Sequence, residues 1–199
     1  MGKGRLEAFT DGVMAIIITI MVLELKVPHE VDLEALREKL PVFVGYVLSF
    51  LYVGIYWNNH HHLFQVVHKI GGGVLWANLH LLFWLSLLPF ATGWMGENHF
   101  AQMTVVIYGA VLLMSGVAYS ILTRALLAHH SADSQLARAL GCDFKGKVSL
   151  VIYAVAIGLT FVNEWIGVAM YFVVALMWLV PDRRIERILA GSPETTPEH

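Results

Sequence analysis

Long apolar stretches separated by short polar segments set the pattern of this sequence. Six such stretches can be distinguished, at residues 6–25, 42–66, 73–95, 101–127, 147–163 and 165–181. A helix that crosses a bilayer needs roughly 20 mostly apolar residues. The pattern therefore predicts an all-α membrane protein with six transmembrane helices per chain. The fifth and sixth stretches are separated only by the turn Asn163-Glu164-Trp165, so their boundary is weakly marked.

The segments between the spans carry their own signals. Residues 31–40 place leucines at 33, 36 and 40, a helical spacing that predicts a short surface helix. Pro41 follows at a position that favours the first turn of the second span. Gly71-Gly72-Gly73 predicts a tight link between the second and third spans. Pro89 lies inside the third span, where we expect it to kink the helix.

Composition agrees with membrane insertion. The 199 residues are 57% hydrophobic and 14% charged, whereas a soluble domain is about a quarter charged. Six spans leave no room for a soluble domain, so we expect the lipid bilayer as surroundings and no nucleic acid as partner. The first apolar run contains Asp11 and lacks a small-residue cleavage site, so no cleavable signal peptide is expected. Cys142 is the only cysteine, which excludes an intramolecular disulfide.

The positive charges alternate from one connection to the next. Ten of the 13 lysines and arginines fall on the side of the amino terminus, and three, Lys26, Arg37 and Lys39, fall on the other. The positive-inside rule places the side rich in positive charge in the cytoplasm. We therefore predict a multi-pass protein of the cell membrane with both termini cytoplasmic. Residues 1–190 form one transmembrane domain, and residues 191–199 are expected to be a disordered tail.

Polar residues recur near the cytoplasmic ends of the first three spans. At 1.5 Å per residue, Asp11, His60 and Asn78 each lie roughly 7–12 Å from the end of their span. They are therefore predicted to form one layer. A buried carboxylate without partners is costly, so we expect Asp11 to accept hydrogen bonds from this layer. The candidate members are Arg5, Thr10, Asp11, Trp57, Asn58, Asn59, His60, His61, His62, Trp76, Asn78 and His80.

Three roles for this layer remain open from the residues alone. The first is a structural clamp that orders the first helix. The second is a layer that moves or titrates to gate conduction. The third is direct binding of an ion by Asp11. A metal site is not expected from His60-His61-His62, because consecutive helical residues point about 100° apart and cannot converge on one ion. No histidine follows at the i,i+4 spacing of helical zinc sites, although His80 could contribute from the third span.

Beyond Asp11, the first helix has an almost apolar stripe. Gly12, Ile16, Thr19, Ile20 and Leu23 fall on one face, because residues three and four apart stack in a helix. Such a face ordinarily packs against other helices or lipid. The alternative is a conduction path with a hydrophobic neck.

The motifs of this chain resemble one known family. Arg5-x-x-x-Phe9-Thr10-Asp11 is similar to the Arg-x-x-x-Phe-Ser-Asp signature of the transmembrane protein 175 family, prokaryotic relatives of a lysosomal potassium channel. Further matching segments extend the likeness over nearly the whole chain: Leu25-Lys-Val-Pro28, Trp57-x-Asn59-His60-His61-x-Leu63-Phe64, Leu75-Trp76-x-Asn78, Leu87-Leu-Pro89-Phe90 and Trp178-Leu-Val-Pro181-Asp-Arg-Arg-Ile-Glu. Thr10 replaces the serine of the signature, which keeps the hydroxyl and adds a methyl.

The resemblance implies a homotetramer in which the first helix of each subunit lines a central pore. It implies that Ile16 is the hydrophobic constriction, with Thr19 and Leu23 above it. Either Thr19 or Ile20 points to the pore axis, depending on helix rotation. It also implies that Arg5 and Phe9, with Thr10 and Asp11, lie against the histidine, asparagine and tryptophan side chains of the second and third helices.

These inferences together predict a potassium-permeable cation channel with a hydrophobic gate. The protein is not expected to be an enzyme, and its only small-molecule partner would be the permeant potassium ion, with no cofactor or bound metal. The alternative is a proton-coupled secondary transporter that uses Asp11 and the histidine layer as a proton relay.

Overall fold

The computed structural model describes residues 2–65, 67, 70–128 and 144–179. The regular structure in these ranges is entirely helical. The helices are α1 (Lys3–Leu23), α2 (Leu33–Glu38), α3 (Leu40–Gln65), α4 (Gly72–Ser86), α5 (Leu88–Glu97), α6 (Gln102–Leu127), α7 (Phe144–Thr160) and α8 (Glu164–Leu179). The predicted domain limit at residue 190 and the predicted tail at 191–199 lie outside the described residues.

Four apolar stretches of the described chain are long enough to cross a membrane. They are α1, α3, α4 together with α5, and α6. The last two predicted spans coincide with α7 and α8, which are helical but have 17 and 16 residues. The described part of the chain therefore has an all-helical fold with four stretches suited to cross a membrane, whereas the count of six spans stays a prediction.

The local sequence signals account for the helix boundaries. The Asp32 carboxylate accepts a hydrogen bond from the Ala35 amide at 2.9 Å and caps α2, the predicted surface helix. Pro41 is the second residue of α3, where its missing amide hydrogen costs nothing. The third span is interrupted at Leu87, and Pro89 lies in the first turn of α5. Where a kink was expected at Pro89, the third span is therefore broken into two helices, α4 and α5.

The helices pack around a core formed largely by α3, α4 and α6, with α5 packed against α3 and α6. On one side of it, α1 packs against α3, α4 and α5, while α7 and α8 pack against each other and against α6. The largest buried side chains include Leu48 from α3, Tyr108 from α6 and Tyr171 from α8. The arrangement leaves α1 at an edge of the subunit, with one side turned away from the core.

A buried chain of hydroxyl groups joins the core helices. The Thr92 hydroxyl donates to the Leu88 carbonyl at 2.6 Å, so the Ser49 hydroxyl donates to Thr92, also at 2.6 Å. The Tyr108 hydroxyl lies 2.9 Å from Ser49 and donates to it. These bonds fix α3, α5 and α6 to each other where no water is at hand to satisfy polar groups. The sequence does not reveal this cluster, because each hydroxyl stands alone in its own apolar helix.

Candidate ion-conduction site

Helix α1 has two faces with different surroundings. Leu6, Thr10, Met14, Ile17 and Met21 are buried against the other helices. Their spacing of three or four residues is that of one helical face. The opposite face is left exposed by the subunit.

Near its amino-terminal end, the buried face of α1 is joined to two other helices by hydrogen bonds. The side-chain amide of Asn78 in α4 donates from Nδ2 to the Thr10 hydroxyl at 2.8 Å. Its Oδ1 lies 2.9 Å from Nε2 of His60 in α3. All three side chains are buried, Thr10 and Asn78 completely. One asparagine therefore ties α1, α3 and α4 together.

The geometry also determines where the histidine proton lies. An amide oxygen only accepts hydrogen bonds, so His60 donates to Asn78 from Nε2. The imidazole ring is stacked on Phe64, with ring centroids 4.3 Å apart and planes inclined by 21°. His60 is thus held in a fixed orientation by a polar partner and an aromatic one.

Asp11 has a different hydrogen-bond partner from its neighbour Thr10. Its Oδ1 accepts a hydrogen bond from the Trp57 indole nitrogen at 3.0 Å, and both residues are exposed on the subunit surface. Trp57 in turn stacks on His61, with ring centroids 6.0 Å apart. Within the described chain, Asp11 makes no hydrogen bond to a histidine. The structure therefore brings Asp11 together with Trp57 and His61 at the surface. This cluster is separate from the buried hydrogen bonds that join Thr10, Asn78 and His60.

Other predicted members of the layer are not brought into these two clusters. Arg5 is exposed and its side chain makes no hydrogen bond or ion pair with the described residues, and Phe9 is 49% exposed. Asn59 donates to the Ile55 carbonyl of its own helix at 2.8 Å. Trp76 is 75% exposed on α4. These residues lie on the surface of the subunit or are bonded within their own helix.

His61 and His80 each have a hydrogen-bond partner within their own helix. His61 Nε2 lies 2.9 Å from the Gln65 amide nitrogen, and His80 Nε2 accepts a hydrogen bond from the Trp84 indole at 3.0 Å. In the part of the chain that the structure describes, no group of three or more histidine, cysteine, aspartate or glutamate side chains is placed to hold a metal ion.

The exposed face of α1 contains the predicted stripe. Ile16 is 59%, Ile20 44% and Leu23 74% exposed. Thr19 is also exposed, and its hydroxyl donates back to the Ala15 carbonyl at 2.8 Å, which leaves the oxygen lone pairs directed away from the helix. The subunit therefore presents a row of apolar side chains with a single hydroxyl among them.

Comparison with known proteins identifies the family. The model of the endosomal/lysosomal potassium channel TMEM175 family matches residues 5–89, which include all the residues of the two clusters. A potassium channel of Chryseobacterium sp. (strain P1-3) is 54% identical over 189 residues, covering 95% of this chain and 98% of that protein. The chain belongs to the TMEM175 family. The proteins of this family are ion channels, so this member is a multi-pass membrane protein and not an enzyme.

A solved structure extends the comparison to the fold. The crystal structure of a lysosomal potassium-selective channel TMEM175 homolog from Chamaesiphon minutus superposes with a TM-score of 0.77 at 29% identity, covering 92% of this chain and 97% of that one. The human endosomal/lysosomal proton channel TMEM175 is 35% identical over 103 residues, which cover 46% of this chain and 20% of the human protein.

Proposed function

We propose that this TMEM175 member is a potassium-permeable cation channel, built as a homotetramer in which α1 of each subunit lines the pore. The observation that carries the proposal is the exposed stripe of α1, from Ile16 to Leu23, in a chain whose relatives are named potassium channels. One subunit leaves this face without a protein partner. Four copies around an axis would enclose a path along it.

The stripe has the chemistry of a hydrophobic gate. Rings of Ile16 and Leu23 would form a narrow neck that blocks ions when water leaves it, and opening would widen or wet the neck. Thr19 supplies the nearest hydroxyl to an ion that loses part of its hydration shell there, unless the helix is rotated to place Ile20 at the axis. Selectivity would then depend on pore width and dehydration rather than on a filter of backbone carbonyls.

The polar clusters would set the position of the pore helix. Thr10 is fixed by Asn78, and Asp11 by Trp57, a few residues before the stripe begins. Because a helix is stiff, a shift at Thr10 and Asp11 would be carried to Ile16 less than two turns away. The unpaired Arg5 and the exposed Phe9 and Trp76 would be available to a neighbouring subunit. We propose the layer as the anchor that holds or releases the gate.

The first test is a bilayer recording of the purified full chain with potassium on one side and sodium on the other. A potassium-permeable pore gives a current whose reversal potential shifts toward the potassium equilibrium potential. A coupled transporter instead gives flux that saturates and that needs a proton gradient, so the same recording is repeated with different pH on the two sides. Absence of any ionic current would contradict the channel proposal.

The constriction is tested by Ile16→Asn. A polar ring at this level favours a wet neck, so we expect a larger resting potassium current and weaker discrimination against sodium. Ile121→Asn is the matched control, because Ile121 is also exposed, at 41%, but lies on α6. Equal currents and reversal potentials in the Ile16 variant and the control would exclude Ile16 from the constriction.

A further inference from the structure

An apolar groove lies at the end of the subunit where α1 ends. It has a volume of about 510 Å³ and is bounded by the segment after α1, by α2, by the first turn of α3 and by the end of α5. Its apolar wall includes Val27, Leu36, Leu40 and Phe43, whose exposed fractions are 82%, 60%, 54% and 51%. We call this cavity the α2 groove.

Two charged side chains of the α2 groove form an ion pair with each other. The Lys26 ammonium donates to Glu97 Oε1 at 2.8 Å. The hydrogen bond and the charge of Glu97 raise the pKa of Lys26, so the lysine is charged at neutral pH. This ion pair links the segment after α1 to the end of α5 and forms part of the wall of the groove.

Two further charged side chains of opposite sign line the same groove without a hydrogen-bonded partner among the described residues. Glu24 and Lys39 make no side-chain hydrogen bond and no ion pair with the described residues, although both line the α2 groove. Lys39 is partly buried, so its charge is held close to the wall. Glu24 acts through its charge on Lys26, and Lys39 acts through its charge on Glu97. The groove therefore offers one carboxylate and one ammonium that have no side-chain hydrogen bond to the described residues, beside a large apolar surface.

The position of the groove determines what can fill it. Helices α1, α3 and the α4–α5 pair are long enough to cross the membrane, and the groove lies where α1 and α5 end and α3 begins. Helix ends lie at the level of the lipid headgroups, with the acyl chains beginning just below. Exposed apolar side chains next to the charges of Glu24 and Lys39 at this level match an amphiphile from the membrane.

We propose that the α2 groove binds one membrane phospholipid with an amine headgroup, phosphatidylethanolamine. An acyl chain lies along Leu40 and Phe43, the phosphate pairs with Lys39, and the ammonium pairs with Glu24. Two charges of opposite sign complement a zwitterion better than a headgroup of one sign. A choline headgroup carries no N–H to donate to Glu24, and a glycerol headgroup has no cation.

The test measures lipid binding to the purified oligomer by native mass spectrometry. Phosphatidylethanolamine, phosphatidylcholine and phosphatidylglycerol with identical acyl chains are titrated separately. We expect saturation at one phosphatidylethanolamine per subunit, at several-fold lower concentration than for the other two lipids. Equal affinity for the three lipids would overturn the proposal.

Two substitutions assign the headgroup contacts. Lys39→Gln is expected to weaken phosphatidylethanolamine binding by up to about fivefold, because the phosphate loses one partly exposed ion pair. Glu24→Gln is expected to lower the affinity for phosphatidylethanolamine to that for phosphatidylcholine. The matched controls on α2 are Arg37→Gln and Glu38→Gln, which remove exposed charges that do not line the groove. Loss of binding in the controls equal to that in the groove variants would contradict the assignment.

A photoactivatable phosphatidylethanolamine with the reactive group in its acyl chain tests the location independently of affinity. We expect labelled peptides to contain Leu40 or Phe43. Labelling that is uniform over the exposed helices would indicate ordinary solvation by lipid and would overturn the proposal. A cross-link from Phe43→Cys to a neighbouring subunit would show that a second copy of the chain occupies the groove instead.

Discussion

The side chain of Asn78 attaches α1 to two other helices. Its amide uses Nδ2 toward Thr10 on α1 and Oδ1 toward His60 on α3, at 2.8 and 2.9 Å. Away from water, an amide that loses one partner keeps an unsatisfied group, so the two bonds support each other. The expected consequence is an energetic coupling between Thr10 and Asn78.

That coupling can be measured with Thr10→Val, Asn78→Leu and the double variant. Interhelical hydrogen bonds in membrane proteins couple by about 0.6 kcal/mol on average and by up to about 1.7 kcal/mol, and we expect a value in this range. The measurement is the free energy of unfolding from denaturant titrations in mixed micelles. Asn59→Leu paired with Thr10→Val is the control, because Asn59 bonds within its own helix. A coupling energy near zero for Thr10 and Asn78 would contradict the bonded geometry.

At the scale of elements, α5 approaches α3 closely at one glycine. A Cβ atom added to Gly96 would lie 2.7 Å from the Cα of Val42. A backbone atom cannot move aside as a side-chain end can, so the two helices would have to separate. The hydroxyl bonds from Ser49 to Thr92 and Tyr108 hold these helices together on the same side of the core.

We therefore expect Gly96→Ala to destabilise the protein by about 1–3 kcal/mol, the usual cost of overpacking. The control is Gly93→Ala on the same helix, where the added Cβ would meet only the Glu24 carboxylate at 3.9 Å. Both substitutions add one methyl group to α5, and only the Gly96 variant brings it against a backbone atom, so a lower thermal unfolding midpoint for Gly96→Ala reports the contact with Val42. Equal midpoints would show that α3 and α5 adjust without cost.

For the whole molecule, the central question is whether the exposed stripe of α1 meets other subunits. In a Cys142→Ser background, Leu23→Cys places a thiol on the most exposed large side chain of the stripe, at 74%. If four α1 helices surround one axis, oxidation is expected to give covalently linked subunits on a non-reducing gel. Val151→Cys is the control, because Val151 is 63% exposed on α7.

Cross-linking of the Val151 variant without cross-linking of the Leu23 variant would place the subunit contact at α7 and contradict the proposed pore. Mass measurement of the intact oligomer counts the subunits in the same sample. The tetramer requires a mass of four chains, and any other number would replace that part of the proposal.

Much of the architecture followed from linear patterns. Apolar length predicted the four stretches that are long enough to cross a membrane, Asp32 and Pro41 correctly marked α2 and the start of α3, and Pro89 marked the break before α5. Depth along each span predicted that Asp11, His60 and Asn78 lie near one level, because the rise per residue of a helix is fixed. The ordered motifs identified the family, which the relatives confirm.

Other features became known only from the tertiary structure, because the spacing of residues in the sequence does not give the rotation of a helix or the helices that pack against it. The tertiary structure decided that Asn78 bonds to Thr10 while Asp11 bonds to Trp57, and that Arg5, Asn59 and Trp76 stay apart from them. It also brought Ser49, Thr92 and Tyr108 together, and placed Glu24 and Lys39 in the lining of the same groove. The sequence by itself predicted which segments are apolar enough to enter a membrane and how far along each segment the polar groups lie, since both depend on length and hydrophobicity. Which of those groups touch depends on how the helices turn toward one another, and packing alone sets that.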